Sequence, residues 1–369
     1  MLKKNPLWIL IPILFVLPLN VQASQHDAEF NPGEMIIDHI LDHHEWHIAS
    51  FGNAHIAISL PILLIHDGKF YAFMSSRFRH GSSDYKGFRL VQSGEHKGKI
   101  VHIDSQGNIA PKLPIDLSIT KNVFSILFAA IVLFLVFMSI SKAYKRRGTQ
   151  QAPKGLQNMI EPVILFVRDD VAKSMIPEKY VDKYLPYLLT LFFFILFLNL
   201  LGLIPFFPGG ANVTGNISVA GGLALLTFIV TSFSGKRAYF RELIDYPGAP
   251  WWVKFPFPLM PIIEILSMFI KPIVLMIRLM ANLMAGHIII LGFVAIIFIF
   301  GNINPVLGFG TSILSIVFAL FVYCLEIVVS FVQAFVFTLL TALYIGSALQ
   351  EHHEPPSNEY ASTSSATNQ

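Results

Sequence analysis

The sequence predicts an all-α polytopic membrane protein that carries a small exported β-rich domain at its N-terminus. Three observations carry that expectation. Only 13% of the residues are charged and 54% are hydrophobic, against about 25% charged in a soluble globular protein. Apolar runs of about 17 to 20 residues recur along the chain, each long enough for a hydrocarbon core of roughly 30 Å. Ahead of the first strong run lies a segment of different character, with mixed charge, glycine turns and ten of the thirteen histidines. The net charge is +3, with the basic residues beside apolar runs, so no nucleic-acid partner is expected. The single cysteine, Cys324, excludes an intramolecular disulfide.

The chain opens with Lys3 and Lys4, an apolar stretch from Leu7 to Leu19, and Val21-Gln22-Ala23, the pattern of a secretory signal cleaved after Ala23. An uncleaved first membrane helix is the competing reading, though the apolar run is short for spanning. Residues 24–120 form the exported domain. Asp67-Gly68 separates Ile56–Ile65 from Phe70–Met74, a hairpin signal. Gly94–Gly98 and Ser105–Asn108 punctuate further strand-like runs such as Lys99–Ile103. His39, His43 and His47 recur every four residues and on a helix would share one face, with Asp38, Asp42, His44 and Glu45 near by. Neutral imidazoles so spaced suit a transition metal. A solvated polar helix or an interface explains the same pattern, and three ligands alone do not make a site. No metal or other cofactor is therefore expected.

Residues 121–351 form the membrane domain. The first span, Val123–Ile140, ends in Lys142, Lys145, Arg146 and Arg147, so it emerges on the cytoplasmic side. From Gln150 to Lys183, Ile160, Ile164, Val167 and Val171 fall at helical spacing among charges, which predicts a helix on the cytoplasmic surface. Tyr187–Ile204 and Ile217–Phe233 are two more spans, joined outside by Pro205–Asn216 and followed inside by Lys236, Arg237 and Arg241. After the Pro- and Trp-rich stretch Tyr246–Pro261 come two overlong apolar segments, Pro261–Phe300 and Thr311–Leu349, separated by Gly301–Gly310. The second would be roughly 58 Å long as one helix, nearly twice the hydrocarbon thickness. With no proline between Thr311 and Leu349, tilt is favoured over a break. The expected architecture is three transmembrane helices, a cytoplasmic surface helix and a pair of long, strongly tilted membrane helices. Residues 352–369 read as a flexible cytoplasmic tail. The whole reads as multi-pass in a bacterial inner membrane with a periplasmic N-terminal domain.

The two long segments hold the only ionisable groups deep in apolar surroundings: Glu264, Lys271, Arg278 and His287, then Glu326. A charged type at a helix centre costs about 2.5–3.5 kcal/mol on insertion scales, so such groups are functional candidates by default. Glu264, Lys271 and Arg278 are spaced by seven and Asn282 follows by four, so all four share one face. His287, nine beyond Arg278, falls on the opposite side. Glu326 and Gln333 are again seven apart. Glu264 and Lys271, nearer a helix end, are secondary candidates that snorkelling or pairing would explain.

At this point the residues match a family. Lys271-Pro272, Arg278-Leu279, Ala281-Asn282, Ala285-Gly286-His287, then Glu326 and Gln333 through Thr341, resemble subunit a of the F-type ATP synthases, as do Asn199 and Gly202–Pro205. The resemblance covers about Lys121 to Glu351. It implies a static membrane subunit that faces a ring of c subunits, each with one essential carboxylate, and offers two offset proton half-channels. It implies Arg278 as the essential arginine and Asn282, His287, Glu326 and Gln333 along the proton path. Some bacterial members carry Glu and His in the opposite order at the two titratable positions. Its implied partners are the c ring, the b subunits of the peripheral stalk, other synthase subunits and the bilayer. No Gly-x-x-x-x-Gly-Lys-Ser/Thr loop occurs, so ATP chemistry is expected on other chains. The competing class is an autonomous cation/proton antiporter, against which stands the lack of an internal repeat.

Overall fold

The computed structural model describes residues 31–51, 54–79, 81–92, 94, 96–104, 108–148, 153–235 and 259–349. The expected signal segment, the Pro- and Trp-rich stretch up to residue 258, the cations Lys236, Arg237 and Arg241, and the C-terminal tail lie outside them. The protein is mostly helical, and five helices are long and apolar enough to cross a membrane.

The N-terminal module begins with α1 (Pro32–Ile40), followed by β1 (Glu45–Phe51), β2 (Ala54–Ser59), β3 (Pro61–His66), β4 (Lys69–Met74), β5 (Phe88–Leu90), β6 (Ile100–His102) and β7 (Ile115–Asp116). All pairings are antiparallel: β1 with β2, β3 between β4 and β7, and β5 with β6. The β3–β4 hairpin closes through Asp67 and Gly68 at φ of 48° and 73°, the left-handed pair that suits the twist of flanking strands. The run Ile56–Ile65 is two strands rather than one. Leu60 turns inward between them, buried, and donates its N–H to Ser75 Oγ at 3.1 Å. Ile62, Leu64, Phe78, Phe88 and Ile100 form the module's core. The helix on which His39, His43 and His47 would share a face does not extend through them: α1 stops at Ile40, so His39 is on the helix, His43 in the following turn and His47 on β1.

Five spans and one lateral helix follow. Thr120 caps α2 (Lys121–Arg147), its Oγ1 accepting from Val123 N–H at 3.4 Å. The lateral element is shorter than its amphipathic pattern, running α3 (Leu156–Phe166), a π-helical stretch (Val167–Ala172) and a last turn to Met175. Val167 and Val171 are buried, and Arg168 and Lys173 both hold Asp169 outside. Those two cations keep the Asp169 carboxyl below its usual range. Then come α4 (Glu178–Leu203) and α5 (Ile217–Ser234), the latter capped by Asn216, whose Oδ1 accepts from Ser218 N–H at 2.9 Å. The last two helices are α6 (Leu259–Ile303) and α7 (Pro305–Leu349). Each has 45 residues, about 68 Å at 1.5 Å per residue, and neither is broken.

The expected separator Gly301–Gly310 is helical apart from Asn304. Pro305 disfavours a helical conformation at the residue before it and suits the first position of a helix. Asn304 caps α7 by accepting from Val306 N–H at 2.9 Å. Gly308 and Gly301 let the two backbones touch, since a Cβ on Gly308 would lie 2.5 Å from Gly301 Cα. The glycines are packing residues here, and Asn-Pro is the punctuation.

The membrane core joins the π-helical stretch, α4, α6 and α7 through Val171, Leu188, Phe192, Leu275, Leu279 and Ile345. A second cluster fastens the module to the spans: Trp46 packs with Ala129 of α2, Leu198 of α4, and Ala211 and Val213 of the α4–α5 loop. Polar ties reinforce it. Lys121 N–H donates to His43 O at 3.0 Å and Asn122 N–H to Asp42 Oδ1 at 3.1 Å. His44 Nε2 lies 3.1 Å from Asp116 Oδ2. Burial works to raise the Asp116 carboxyl, but hydrogen bonds from His44 and Ser118 outweigh it and hold the group below the usual carboxylate range.

Candidate functional site

The α6–α7 hairpin brings the sequence-selected residues together by register. Contacts run antiparallel from Gly301 with Gly308, through stacked Phe293 and Phe318 at 5.7 Å, to Gly286 with Glu326 and Lys271 with Tyr344. Arg278 therefore lies level with the stretch around Gln333, and His287 level with Glu326.

The inner stripe of α7 is small and polar. Gly308, Ser315, Glu326, Ser330, Gln333, Thr338 and Thr341 are all buried, while Ile316, Val317, Leu320, Phe321 and Val328 are exposed. That inversion suits a helix in lipid, where apolar side chains meet solvent and polar ones meet protein. Glu326 is only 6% exposed, and neither carboxylate oxygen has a hydrogen-bond partner among the described residues. It occupies the space a Cβ on residue 286 would need, so the glycine before His287 is what admits the carboxylate to α6. His287 donates from Nδ1 to Leu283 O at 3.1 Å, and its ring reaches the Gly202 backbone at the end of α4.

Arg278 and Asn282, both exposed, flank the buried row Leu275, Leu279 and Leu283; Arg278 stands roughly 80° round α6 from Gly286 and opposite His287. Among the described residues no carboxylate pairs with Arg278. Its exposed neighbours on the helix are Val274, Ile277, Ala281 and Asn282, so the guanidinium stands on a largely apolar surface. The secondary candidates differ. Lys271 is half-buried with its ammonium 5.6 Å from the Tyr344 ring centre, in a small pocket between α5, α6 and α7. Glu264 is half-buried near the start of α6.

A further group of buried polar residues escaped sequence reasoning as a set. Asn199, 1% exposed on α4, donates from Nδ2 to Ser330 O at 3.3 Å and accepts from Thr214 Oγ1 at 2.6 Å. Ser330 Oγ and both amide atoms of Asn212 are buried without partners among the described residues. Asn212, Thr214, Asn199, Ser330 and Glu326 thus make a polar seam from the α4–α5 loop beneath Trp46 to the face of α6 that carries Gly286. The signal was the four-residue step from Glu326 to Ser330. Among the described residues no group of three or more His, Cys, Asp or Glu could hold a metal ion.

Residues 123–346 match the family model described as ATP synthase A chain, and residues 35–117 match one described as a domain of unknown function. A protein named ATP synthase subunit a 2 from Chlorobaculum tepidum is 37% identical over 343 residues, covering 91% of this chain and 78% of that one. ATP synthase subunit a of Chlorobium phaeobacteroides strain BS1 is 44% identical over 255 residues, 66% of this chain and 71% of its own. That of Chloroherpeton thalassium is 40% identical over 259 residues, 68% and 72% respectively.

Proposed function

The chain belongs to the ATP synthase A chain family, and from that membership we propose that it conducts protons through two offset half-channels that meet at Arg278, facing the carboxylates of a c ring. The observation that carries this reading is the contrast between two charges on neighbouring faces of the α6–α7 hairpin. Among the described residues a guanidinium stands exposed with no carboxylate paired to it, while a carboxylate is enclosed between the helices with both oxygens free of hydrogen-bond partners. Arginine keeps its charge when desolvated, where a lysine could lose its proton. A ring carboxylic acid arriving at Arg278 would favour its ionised form and release its proton toward the exit half-channel. The same fixed charge would stop protons from passing directly between the half-channels.

On this proposal Glu326 and His287 exchange protons, while Asn282 and Gln333 position water or neighbouring groups by hydrogen bonding. The seam from Asn212 to Glu326 supplies the buried polar lining that a water-filled access path requires. The exposed apolar faces of α6 and α7 suit the ring's helices, and the b subunits would take another flank. The basic end of α2 supports a periplasmic N-terminal module and a cytoplasmic C-terminus in a bacterial inner membrane. One elementary charge crossing 100 mV yields about 2.3 kcal/mol, so several protons must be gathered per ATP. Arg278→Ala should abolish proton-driven ATP synthesis in membrane vesicles while the complex still assembles. Normal synthesis in that variant refutes the role.

A further inference from the structure

The N-terminal module contains a basic cleft that the proton path does not use. Met74, Ser76, Arg77, Arg79, Ser83 and Tyr85 line it, and the lining has no carboxylate. The Tyr85 ring braces two cations, with Arg77 Cζ 5.6 Å and Lys86 Nζ 5.5 Å from its centre. The nearby acid Asp84 is already held by Arg89 through two bonds of 2.7 Å. Arg79 and Lys86 have φ of 45° and 52°, the left-handed region that favours glycine or asparagine. Two long cationic side chains thus stand where the backbone would favour a small residue. Such outliers concentrate at binding sites.

The cleft's position identifies its ligand. Met74 pairs with Pro61, whose carbonyl accepts from Ile119 N–H at 3.0 Å, and Thr120 then caps the first span. The rim of the cleft is therefore at the level where α2 enters hydrocarbon, the level of lipid headgroups. The sheet face beside it is apolar and open, with Phe70, Met74, Ile115 and Leu117 exposed. Guanidinium forks and hydroxyls match phosphate oxygens, and an adjoining apolar strip matches the glycerol and acyl part of a lipid. We propose that this cleft binds the phosphate headgroup of an anionic phospholipid, with Arg77 and Arg79 on the phosphate and Met74 on the lipid body.

The test is native mass spectrometry of the intact synthase in mild detergent with added phosphatidylglycerol, phosphatidylcholine or inorganic phosphate. Relative to the parent complex, the Arg77→Gln/Arg79→Gln variant should bind one phosphatidylglycerol about tenfold or more weakly per copy of this chain. Phosphatidylcholine should be unaffected, Arg77→Lys/Arg79→Lys, which keeps the charge without the fork, should bind at a level between parent and Gln variant, and inorganic phosphate should not displace the lipid. Equal phosphatidylglycerol retention by parent and Gln variant overturns the site. Displacement by inorganic phosphate overturns the lipid assignment in favour of a free anion. The mass of the intact complex in the same spectra reports assembly, and if the double variant does not assemble, Arg79→Gln alone carries the comparison.

Discussion

Gly286 and Glu326 compete for one volume, which separates a steric from a chemical experiment. In Gly286→Ala the new Cβ lands on the far end of the Glu326 side chain, which can swing aside. Stability should therefore change little, while proton conductance of the vesicle-embedded membrane sector falls with the carboxylate displaced. Glu326→Gln keeps the shape and removes proton exchange. Conductance should drop about a hundredfold, the lower range for a positioned acid or base, and unchanged flux would remove Glu326 from the relay. Arg278, His287 and Glu326 stand out in the sequence because a charge in an apolar helix is expensive. Ser330, Thr214 and Asn212 do not, because hydroxyls and amides are common in apolar runs and only the rotation of each helix decides whether they meet protein or lipid. The histidine triad shows a related limit. A four-residue spacing has helical meaning only while the helix continues, and here it ends at Ile40.

Helix packing supplies a contrasting glycine. Gly346 on α7 lies against the carbonyl of Met175 at the end of the lateral element, and a Cβ there would strike backbone rather than a flexible side chain. Gly346→Ala should cost about 1–3 kcal/mol by overpacking, read as a lower thermal midpoint or loss of the chain from the purified complex. A parent-like midpoint would show that the lateral element is free to yield. Most spans were legible because hydropathy fixes them: Ile217–Ser234 differs from its expected range by one residue at its end. The hinge of the last hairpin was not. Two glycines resemble a loop in sequence, and only the partner backbone reveals that they permit a close crossing.

At the scale of the molecule, five apolar helices and a β-rich head could be foreseen, but not how the head is fastened. The joints tie residues far apart in sequence, such as Asp42 with Asn122 and His44 with Asp116, and no local pattern reports them. The second joint has a pH signature. Because the folded Asp116 carboxyl titrates below its ordinary 3.8, its contribution is complete above that value and is lost as pH falls through the folded value. Protease resistance of the head in the full-length protein should therefore fall at acid pH, with Asp116→Asn already weakened at neutrality and showing a smaller acid step. Equal acid sensitivity in both would assign the loss to other groups. The exposed guanidinium on α6 also bears on biogenesis. If Arg278 faces a ring of helices in the assembled synthase, as proposed, an unassembled copy of this chain would turn it toward lipid tails. The same charge would then mark an unassembled subunit for removal.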